Sequence, residues 1–228
     1  KKNKILFFCI DSHVEFYSRL KNSCLEKNIY NIKSFAVWFG HLSLLTNHYS
    51  KQETDYYSLI DTYLQFINLK KKDELNFIFS LGDTDIRFIF YKSIKLGLFK
   101  DFNDLKKKYH IILELFITNL TKKILKKYPN SSFYFFDVLY NDTSGETFDN
   151  LAKLKKFNLQ NSFALLGTNE EYKYWTREIN LSIKTICKQN NITNLAINEF
   201  INSKYLNNNL KKQKLSVDGV HIMSNEII

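Results

Sequence analysis

The stretch KILFFCI, residues 4–10, is an almost unbroken run of large apolar side chains near the start of the chain. A strand with one solvated face alternates apolar and polar residues, whereas a strand buried on both faces reads as a continuous apolar run. The run has the length of a strand and is too short for an ordinary helix. Residues 4–10 therefore predict a buried strand of a parallel sheet.

The same kind of segment recurs along the chain, separated by helical patterns. Four more strands are predicted at 32–39, 75–81, 132–140 and 194–197. Apolar residues recur at helical spacing in the stretches 14–24, 59–67, 105–124 and 172–186. Strands that alternate with helices predict a parallel sheet covered by helices on both faces. We therefore expect a single α/β domain over residues 1–228, a three-layer α/β/α sandwich with a mainly parallel five-stranded sheet.

Size and composition agree with a packed globular domain. Of the 228 residues, 44% are hydrophobic and 16% aromatic, whereas the chain has only six glycines and one proline. That composition argues against disorder and against a linker-rich array. The chain starts with a lysine directly before a strand, which suggests a domain excised from a longer chain with further domains. No stretch approaches the roughly 18 apolar residues of a membrane span, so no transmembrane segment is expected.

The net charge of +10 raises the question of an anionic partner. The lysines are spread along the chain in short runs, mostly at predicted helix ends and in loops, which favours an ordinary solvated surface. The alternative is attraction to an acidic polymer, a membrane surface or an anionic acyl donor. No recognition motif accompanies the charge, so nucleic acid is not expected as a partner.

Three cysteines, Cys9, Cys24 and Cys187, bear on the redox compartment. Their number is odd and no C-x-x-C spacing is present, which argues against a disulfide framework and against a zinc knuckle. Reduced, buried cysteines are typical of the cytoplasm or of another reducing compartment.

Polar residues follow the predicted strands at the points where the strands end. Asp11 and Ser12 follow the first strand, Gly40 follows the second, and the stretch 82–87 follows the third. Asp137 and Asn141 lie near the end of the fourth strand, and Asp218 and His221 come after the fifth. Ligands of doubly wound α/β folds bind at the carboxyl ends of the strands. We therefore expect a site at that edge.

Ser12, Asp218 and His221 together suggest nucleophilic catalysis. A serine hydroxyl becomes a good nucleophile when a base accepts its proton, and His221 is the candidate base. Asp218, three residues earlier, is the candidate that orients the imidazole. Two alternatives stay open: Asp11 and Ser12 could cap a helix, and His13 could be a second-shell or surface residue or a rival base.

Gly40 and the stretch 82–87 supply the other candidate groups. A glycine after a strand lets a backbone N–H approach a developing oxyanion, although Gly40 and Gly82 could equally be ordinary turns. Asp85 could form an ion pair with Arg87, either for structure or to organise the site. Two aspartates also raise the possibility of a metal, but histidines are scattered and no metal is expected.

These motifs, in this order, resemble the SGNH (GDSL-type) hydrolases. The matching blocks are IDS at 10–12, Gly40, GDTD at 82–85 and DGVH at 218–221. The chain is especially similar to members that read D-S-H in the first block and G-E-I-D-x-R in the third, which are associated with glycan biosynthesis. The resemblance spans essentially the whole chain and implies a flavodoxin-like SGNH fold.

The resemblance also implies roles for individual residues. Ser12, Asp218 and His221 would form the catalytic triad, and Ser12, Gly40 and Thr84 the oxyanion hole. The second shell or the substrate contacts would come from Asp11, His13, Asp83, Asp85 and Arg87. The chain departs from the family pattern at Ile10, where G-D-S has a glycine, and at Thr84, where an asparagine normally donates to the oxyanion.

The function that the resemblance implies is serine-dependent acyl-ester chemistry on a carbohydrate or glycan. The enzyme would be an esterase or deacetylase that needs no cofactor, or an O-acetyltransferase that takes acetyl-CoA or another acyl donor. A catalytically silent carbohydrate- or anion-binding domain of the same fold is the alternative, since the changes at Ile10 and Thr84 fall within the motif blocks.

Overall fold

The structure is a computed structural model that describes residues 4–10, 32–39, 43–50, 55–67, 69, 73–138, 168–196 and 198–199. Its centre is a five-stranded sheet in the order β2-β1-β3-β4-β5, in which all neighbouring strands are parallel. The strands are β1 Lys4–Ile10, β2 Ile32–Trp38, β3 Glu74–Ser80, β4 Ser131–Phe136 and β5 Thr193–Leu195. This confirms the predicted α/β fold with a parallel five-stranded sheet.

The described helices connect the strands from β2 onward. They are α1 Leu44–Tyr49, α2 Tyr56–Phe66, α3 Phe90–Lys95, α4 Phe102–Lys127 and α5 Asn169–Gln189, and a π-helical segment, Asp85–Ile89, leads into α3. The long helix α4 contacts each of the other four α-helices. None of the described helices combines the length and the apolar character needed to cross a membrane.

Both faces of the central strands are buried. On one face Phe7, Phe77 and Phe135 are inaccessible to solvent and belong to the core that the described helices share. On the other face Phe8 and Ile78 are also buried, at 1% and 7% exposure. Burial of successive residues is the reason why these strands read as continuous apolar runs, and it agrees with a sheet flanked by helices on both sides.

The strand order places a topological switch point between β1 and β3. The chain crosses from β1 to β2 on one side and returns to β3 on the other side of β1. Ile10 is paired with Ser80, so β1 and β3 end side by side. The carboxyl ends of the strands at such a switch point form the crevice in which α/β folds bind ligands. Only the chain that leaves β3 is described there, because residues 11–31 lie outside the described ranges.

Strands β2 to β5 all end before the predicted residue, by one residue in β2 and β3, two in β5 and four in β4. Beyond Phe136, the last residue of β4, the N–H of Asp137 still donates to the Leu195 carbonyl of β5 at 3.2 Å, and a side chain takes over as partner of the backbone at Val138. The N–H of Val138 donates to Oδ1 of Asn180 at 2.8 Å, and Nδ2 of Asn180 donates to the Val138 carbonyl at 3.1 Å. The fifth strand, predicted at 194–197, is observed at Thr193–Leu195.

The predicted helices of the second half are confirmed, and two short ones were not predicted. Helix α4 begins after Asp101, whose carboxylate accepts from the N–H of Asp104, and ends two residues before Pro129. Helices α1 and α3 lack a long apolar stripe. The helix predicted at 14–24 lies outside the described residues.

Two of the three cysteines are in the described part of the chain. Cys9 in β1 and Cys187 in α5 are both buried and free. Burial raises the pKa of the Cys9 thiol and, together with the nearby Asp137 carboxylate, raises that of Cys187 to about 12. Both are therefore protonated packing residues and not reactive thiolates.

Candidate functional site

The chain that leaves β3 turns through Gly82 in a crowded environment. Gly82 has a φ of +108°, a conformation that side chains other than glycine rarely adopt. A Cβ atom at this position would lie 3.2 Å from the Tyr109 hydroxyl and 3.2 Å from Cγ2 of Val138. The backbone of Gly82 therefore packs directly against α4 and the end of β4.

Asp85 is fully buried and is held by four hydrogen-bond donors. Its Oδ1 accepts from the Ser43 hydroxyl at 2.6 Å and from the N–H of Leu45 at 3.3 Å. Its Oδ2 accepts from the N–H of Leu44 at 2.9 Å and from the Tyr109 hydroxyl at 3.1 Å. The carboxylate thus binds the first turn of α1, whose own N-cap residue is Ser43.

Burial and hydrogen bonding oppose each other at Asp85. Burial raises the pKa of this carboxyl to about 6, whereas the donors from Ser43, Leu44, Tyr109 and Leu45 act to lower it. Loss of hydration is the larger effect, because a charge transferred out of water costs more than these donors return. Asp85 therefore titrates near neutral pH while it serves a structural contact.

Asp83 and Arg87 form a buried ion pair one helical turn apart. Their side chains are only 6% and 3% exposed, and Nη2 of Arg87 donates to Oδ2 of Asp83. The Tyr172 hydroxyl of α5 also donates to Oδ1 of Asp83, at 3.4 Å. The suggested pairing of Arg87 with Asp85 is thus wrong, since the two side chains serve separate contacts. Burial, and then the Asp83 charge, raise the pKa of the Tyr172 hydroxyl.

Thr84 lies between these two aspartates. It has helical backbone angles, is 8% exposed, and its side chain makes no capping hydrogen bond to the π-helical segment that follows. Asp83 and Asp85 on either side are committed to Arg87 and to α1, respectively. The Thr84 hydroxyl is therefore the group of this segment that is best suited to donate to a ligand.

A second polar group lies at the end of β4. Asn194 of β5 donates through Nδ2 to Oδ1 of Asp137 at 2.9 Å, and Nδ2 of Asn198 donates to the Val138 carbonyl at 2.8 Å. Burial raises the pKa of Asp137, while the Asn194 hydrogen bond acts to lower it. Asp137 lines a cavity of about 420 Å³ between α5 and the ends of β4 and β5.

A larger cavity, of about 590 Å³, lies between α1, α2 and α4. Its wall includes His48, Tyr57 and Lys123. The described part of residues 39–57, a stretch rich in Tyr, His, Ser and Thr, includes α1 and the start of α2. His48 and Tyr57 of this stretch thus face α4 across the cavity.

The structure brings together four of the predicted site residues, Asp83, Thr84, Asp85 and Arg87, in one buried segment. Seven other predicted residues lie outside the described ranges, namely Asp11, Ser12, His13, Gly40, Asn141, Asp218 and His221. Their assigned roles stay predictions. Within the described ranges, no three histidine, cysteine or acidic side chains come together as metal ligands.

Sequence reasoning missed three residues that support this segment, Ser43, Tyr109 and Tyr172. Tyr109 and Tyr172 fall on the apolar stripes of α4 and α5, and periodicity alone does not distinguish a tyrosine that packs from one that donates. The spacing of Asp83 and Arg87, by contrast, was a readable signal, because residues four apart meet on one face of a helix.

A comparison of the chain with protein-family models finds no match, and no curated protein matches its sequence. The fold and the buried segment after β3 are thus the observations on which a function can be based.

Proposed function

We propose that this domain carries out serine-dependent acyl-ester chemistry on a carbohydrate, with Ser12 as nucleophile, His221 as base and Asp218 as the residue that orients the base. The resemblance of the motif blocks to SGNH hydrolases suggests these roles. The described structure supports the proposal through the segment that follows β3.

The observation that carries the proposal is the pairing of Ile10 with Ser80. Ser12 comes two residues after Ile10, and Asp83 three residues after Ser80. The first and third motif blocks therefore leave neighbouring strands at the same edge of the sheet, at the switch point. An acyl-transfer site needs a nucleophile and oxyanion donors within a few ångströms of one another, and this topology supports such an arrangement.

The buried contacts supply the rigidity that such a site requires. Asp83 is held by Arg87 and Tyr172, and Asp85 by α1 and Tyr109. Oxyanion donors stabilise a transition state when they are fixed before the reaction begins. Thr84, between the two aspartates, is suited to donate its hydroxyl together with the backbone N–H groups of Ser12 and Gly40.

The proposed reaction has two steps. The Ser12 oxygen attacks the acyl carbonyl as His221 takes the hydroxyl proton, and the leaving group takes that proton and departs, as an alcohol from an ester or as the CoA thiol from acetyl-CoA. The resulting acyl-enzyme is then attacked by water, which releases the carboxylic acid, or by a sugar hydroxyl, which yields a new ester. His221 accepts the proton of the attacking group and returns it to Ser12.

The proposed acyl group is acetyl and the proposed acceptor is a glycan. A hydrolase releases acetate from an acetylated glycan in buffer alone. A transferase requires a donor such as acetyl-CoA, whose phosphates a chain of net charge +10 attracts. Incubation with acetylated and unacetylated glycan, with and without the donor, separates the two activities.

The decisive variant is Ser12→Ala, assayed with a short-chain aryl ester. Turnover should be abolished while the melting temperature changes little, and Ser58→Ala, at an exposed serine of α2, should leave turnover unchanged. Turnover that persists in Ser12→Ala excludes this nucleophile. A large loss of stability favours the helix-cap role, and glycan binding without any turnover favours the catalytically silent binding domain.

A further inference from the structure

We propose that the cavity of about 420 Å³ beside β4 and β5 binds an uncharged sugar residue of the glycan substrate. We name it the α5 cavity, after the helix that supplies most of its wall, including Lys173, Tyr174, Arg177, Asn180 and Lys184. The inference rests on the proposed function, because it assigns a subsite to the same substrate.

The floor of the α5 cavity is held in place by side-chain amides. Asn180 donates to the Val138 carbonyl and accepts from its N–H, and Asn198 donates to the same carbonyl. Asn194 donates both to the Phe135 carbonyl at 3.2 Å and to Asp137 at 2.9 Å. A preorganised wall lowers the entropy cost of ordering side chains around a weakly held ligand such as a sugar.

Asp137 is the group in this wall that suits a sugar hydroxyl. Asp137 lines the α5 cavity and is 7% exposed. One of its carboxylate oxygens accepts a hydrogen bond from Asn194, which fixes its orientation. An ionised carboxylate offers about four acceptor sites, so one amide donor leaves capacity for the hydroxyl groups of a ligand. A carboxylate fixed in orientation can accept from two adjacent hydroxyls of a sugar ring.

The charges around the α5 cavity favour a neutral ligand. Its lining combines the cations Lys173, Arg177 and Lys184 with the anions Asp137, Glu170 and Glu199. The three charges of each sign sum to zero, so the lining has no net charge that would favour an anion or a cation, and it offers both donors and acceptors. Such a wall suits the hydroxyl groups of a sugar ring, each of which can both donate and accept a hydrogen bond.

Tyr174 adds an apolar surface to these polar groups. It lines the α5 cavity and is 48% exposed, with its ring edge-on to Phe102 at 5.5 Å between centroids. Tyrosine offers a large apolar face together with a polar hydroxyl, which suits a ligand that has an apolar ring face and a polar rim. A sugar residue meets that description, whereas a simple inorganic ion does not.

The α5 cavity is close to the candidate site. Phe79 and Phe135 are the last paired residues of β3 and β4, and Val138, next to Asp137, lies 3.2 Å from the Cβ position of Gly82. Helix α5 contributes a side chain to each place, Tyr172 to Asp83 and Tyr174 to the α5 cavity. A glycan that reaches the carboxyl end of β3 can therefore rest a neighbouring sugar against α5.

The test measures binding in the absence of turnover, on the full chain that carries Ser12→Ala. The probes are a neutral hexose, an N-acetylhexosamine and a hexuronic acid, each titrated by calorimetry or by ligand-observed NMR. We expect the two neutral sugars to bind and the hexuronic acid to bind no more tightly than they do. No binding of any sugar, or a clear preference for the hexuronic acid, would overturn the proposal.

Variants locate the binding in the α5 cavity. Arg177→Ala and Tyr174→Ala should each weaken the binding of the neutral sugars about tenfold, through a lost charged hydrogen bond or a lost apolar face. Their matched controls are Lys188→Ala, at an exposed basic residue of the same helix, and Tyr63→Ala, at a tyrosine that is 47% exposed in α2. Arg177 is also exposed, so its removal leaves the fold intact and keeps the test informative.

Equal affinities in the cavity variants and the controls would place any sugar binding elsewhere and overturn the inference. Ester turnover by the unmodified chain is measured separately. Turnover without sugar binding would refute the sugar subsite in the α5 cavity and leave the proposed catalysis standing. Sugar binding that is weakened by the cavity variants, in a chain without turnover, would refute the proposed catalysis and leave the subsite standing.

Discussion

The Oδ2 atom of Asp85 accepts a hydrogen bond from the N–H of Leu44 at 2.9 Å, across 41 positions of the sequence. This contact joins the segment that follows β3 to the first turn of the helix that follows β2. Gly40, the second motif block, is three residues before the N-cap Ser43. Asp85 is thus suited to position the connection that carries Gly40 rather than to contact a substrate.

Replacement of Asp85 by Asn should destabilise the protein, most strongly near pH 4. Each carboxylate oxygen accepts from a backbone N–H, Leu45 on Oδ1 and Leu44 on Oδ2. Either orientation of an amide therefore places its NH₂ group against a backbone donor. A buried group left without its partner costs about 1–3 kcal/mol in the free energy of unfolding. Chemical denaturation at several pH values measures the loss.

The difference between wild type and Asp85→Asn should shrink as the pH rises. The pKa of Asp85 is about 6 in the folded protein and about 3.9 in the unfolded chain. Between these values the folded state holds a proton that the unfolded state has lost, so stability falls as pH rises, by up to about 3 kcal/mol. Asparagine does not ionise, so the stability of the Asp85→Asn variant lacks this dependence on pH. A difference that is constant from pH 4 to pH 7, or that widens, contradicts the assignment.

Substitution of one partner of the buried pair of Asp83 and Arg87 should strongly lower the free energy of unfolding. Arg87→Met leaves a buried carboxylate without its cation, and such losses amount to about 3–5 kcal/mol. The double variant Asp83→Leu with Arg87→Met should lose less than the sum of the single variants, because no unpaired charge remains. Denaturant unfolding of all three variants measures the coupling, and strict additivity would show that the pair does not interact.

An exposed ion pair offers the control for that cycle. Lys127 contacts Asp61 at 2.6 Å at the surface, where solvent screens the attraction. Lys127→Met should therefore change the denaturation midpoint within experimental error, although its contact distance is that of a strong pair.

Gly82→Ala should be far more destabilising than Gly97→Ala. Both glycines have a positive φ, of +108° and +71°, but a Cβ on Gly97 meets nothing within 4 Å. Gly97→Ala should therefore lower the free energy of unfolding only by the cost of a left-handed backbone for alanine, about 1–2 kcal/mol. Gly82→Ala adds contacts with Tyr109 and Val138, and overpacking of this kind costs about 1–3 kcal/mol more. Thermal melts compare the two variants. Equal losses of stability would mean that the Tyr109 and Val138 side chains move away from the new methyl group at little cost.

The comparison of Gly82 with Gly97 can be extended by relieving one contact. Val138→Ala removes the Cγ2 atom that lies 3.2 Å from the Cβ position. Combined with Gly82→Ala, it should recover part of the loss, whereas combined with Gly97→Ala it should act independently.

The fold could be predicted from the sequence because strands that are buried on both faces have continuous apolar runs. Residues 5–10 and 77–79 run through the centre of the sheet and are apolar at every position. The long helices α4 and α5 also carry a full apolar stripe, with Leu105, Tyr109 and Ile179 almost inaccessible to solvent. Helix α1 has only six residues and depends on Asp85, a contact distant in sequence, so no local pattern identifies it.

The candidate site could be predicted only in part, for the same physical reason. The position of 82–87 at the end of a strand, and the spacing of Asp83 and Arg87, are local features of the sequence. The choice of partner for Asp85 depends on where α1 and α4 pack, since Ser43 and Tyr109 approach it from different connections. Two carboxylates two residues apart thus look alike in the sequence and differ in function.

Thr84 offers the sharpest test of the oxyanion role. Thr84→Val preserves the shape of the side chain and removes the hydroxyl, which makes no capping hydrogen bond to its own helix. In the aryl ester assay, turnover should fall about 10²-fold, the usual effect of losing one oxyanion donor. The melting temperature should stay the same or rise, because a hydroxyl without a capping role is exchanged for a methyl group at a position that is 8% exposed.

Thr84→Ser is the matched control, since it keeps the hydroxyl and removes only the methyl group. It should retain most of the turnover and lose some stability, the opposite pattern to Thr84→Val. Thr84→Asn introduces the amide that the resembled family carries in this place, and a longer donor should raise turnover above that of the wild type. Full turnover in Thr84→Val would assign the oxyanion entirely to backbone N–H groups and remove Thr84 from the site.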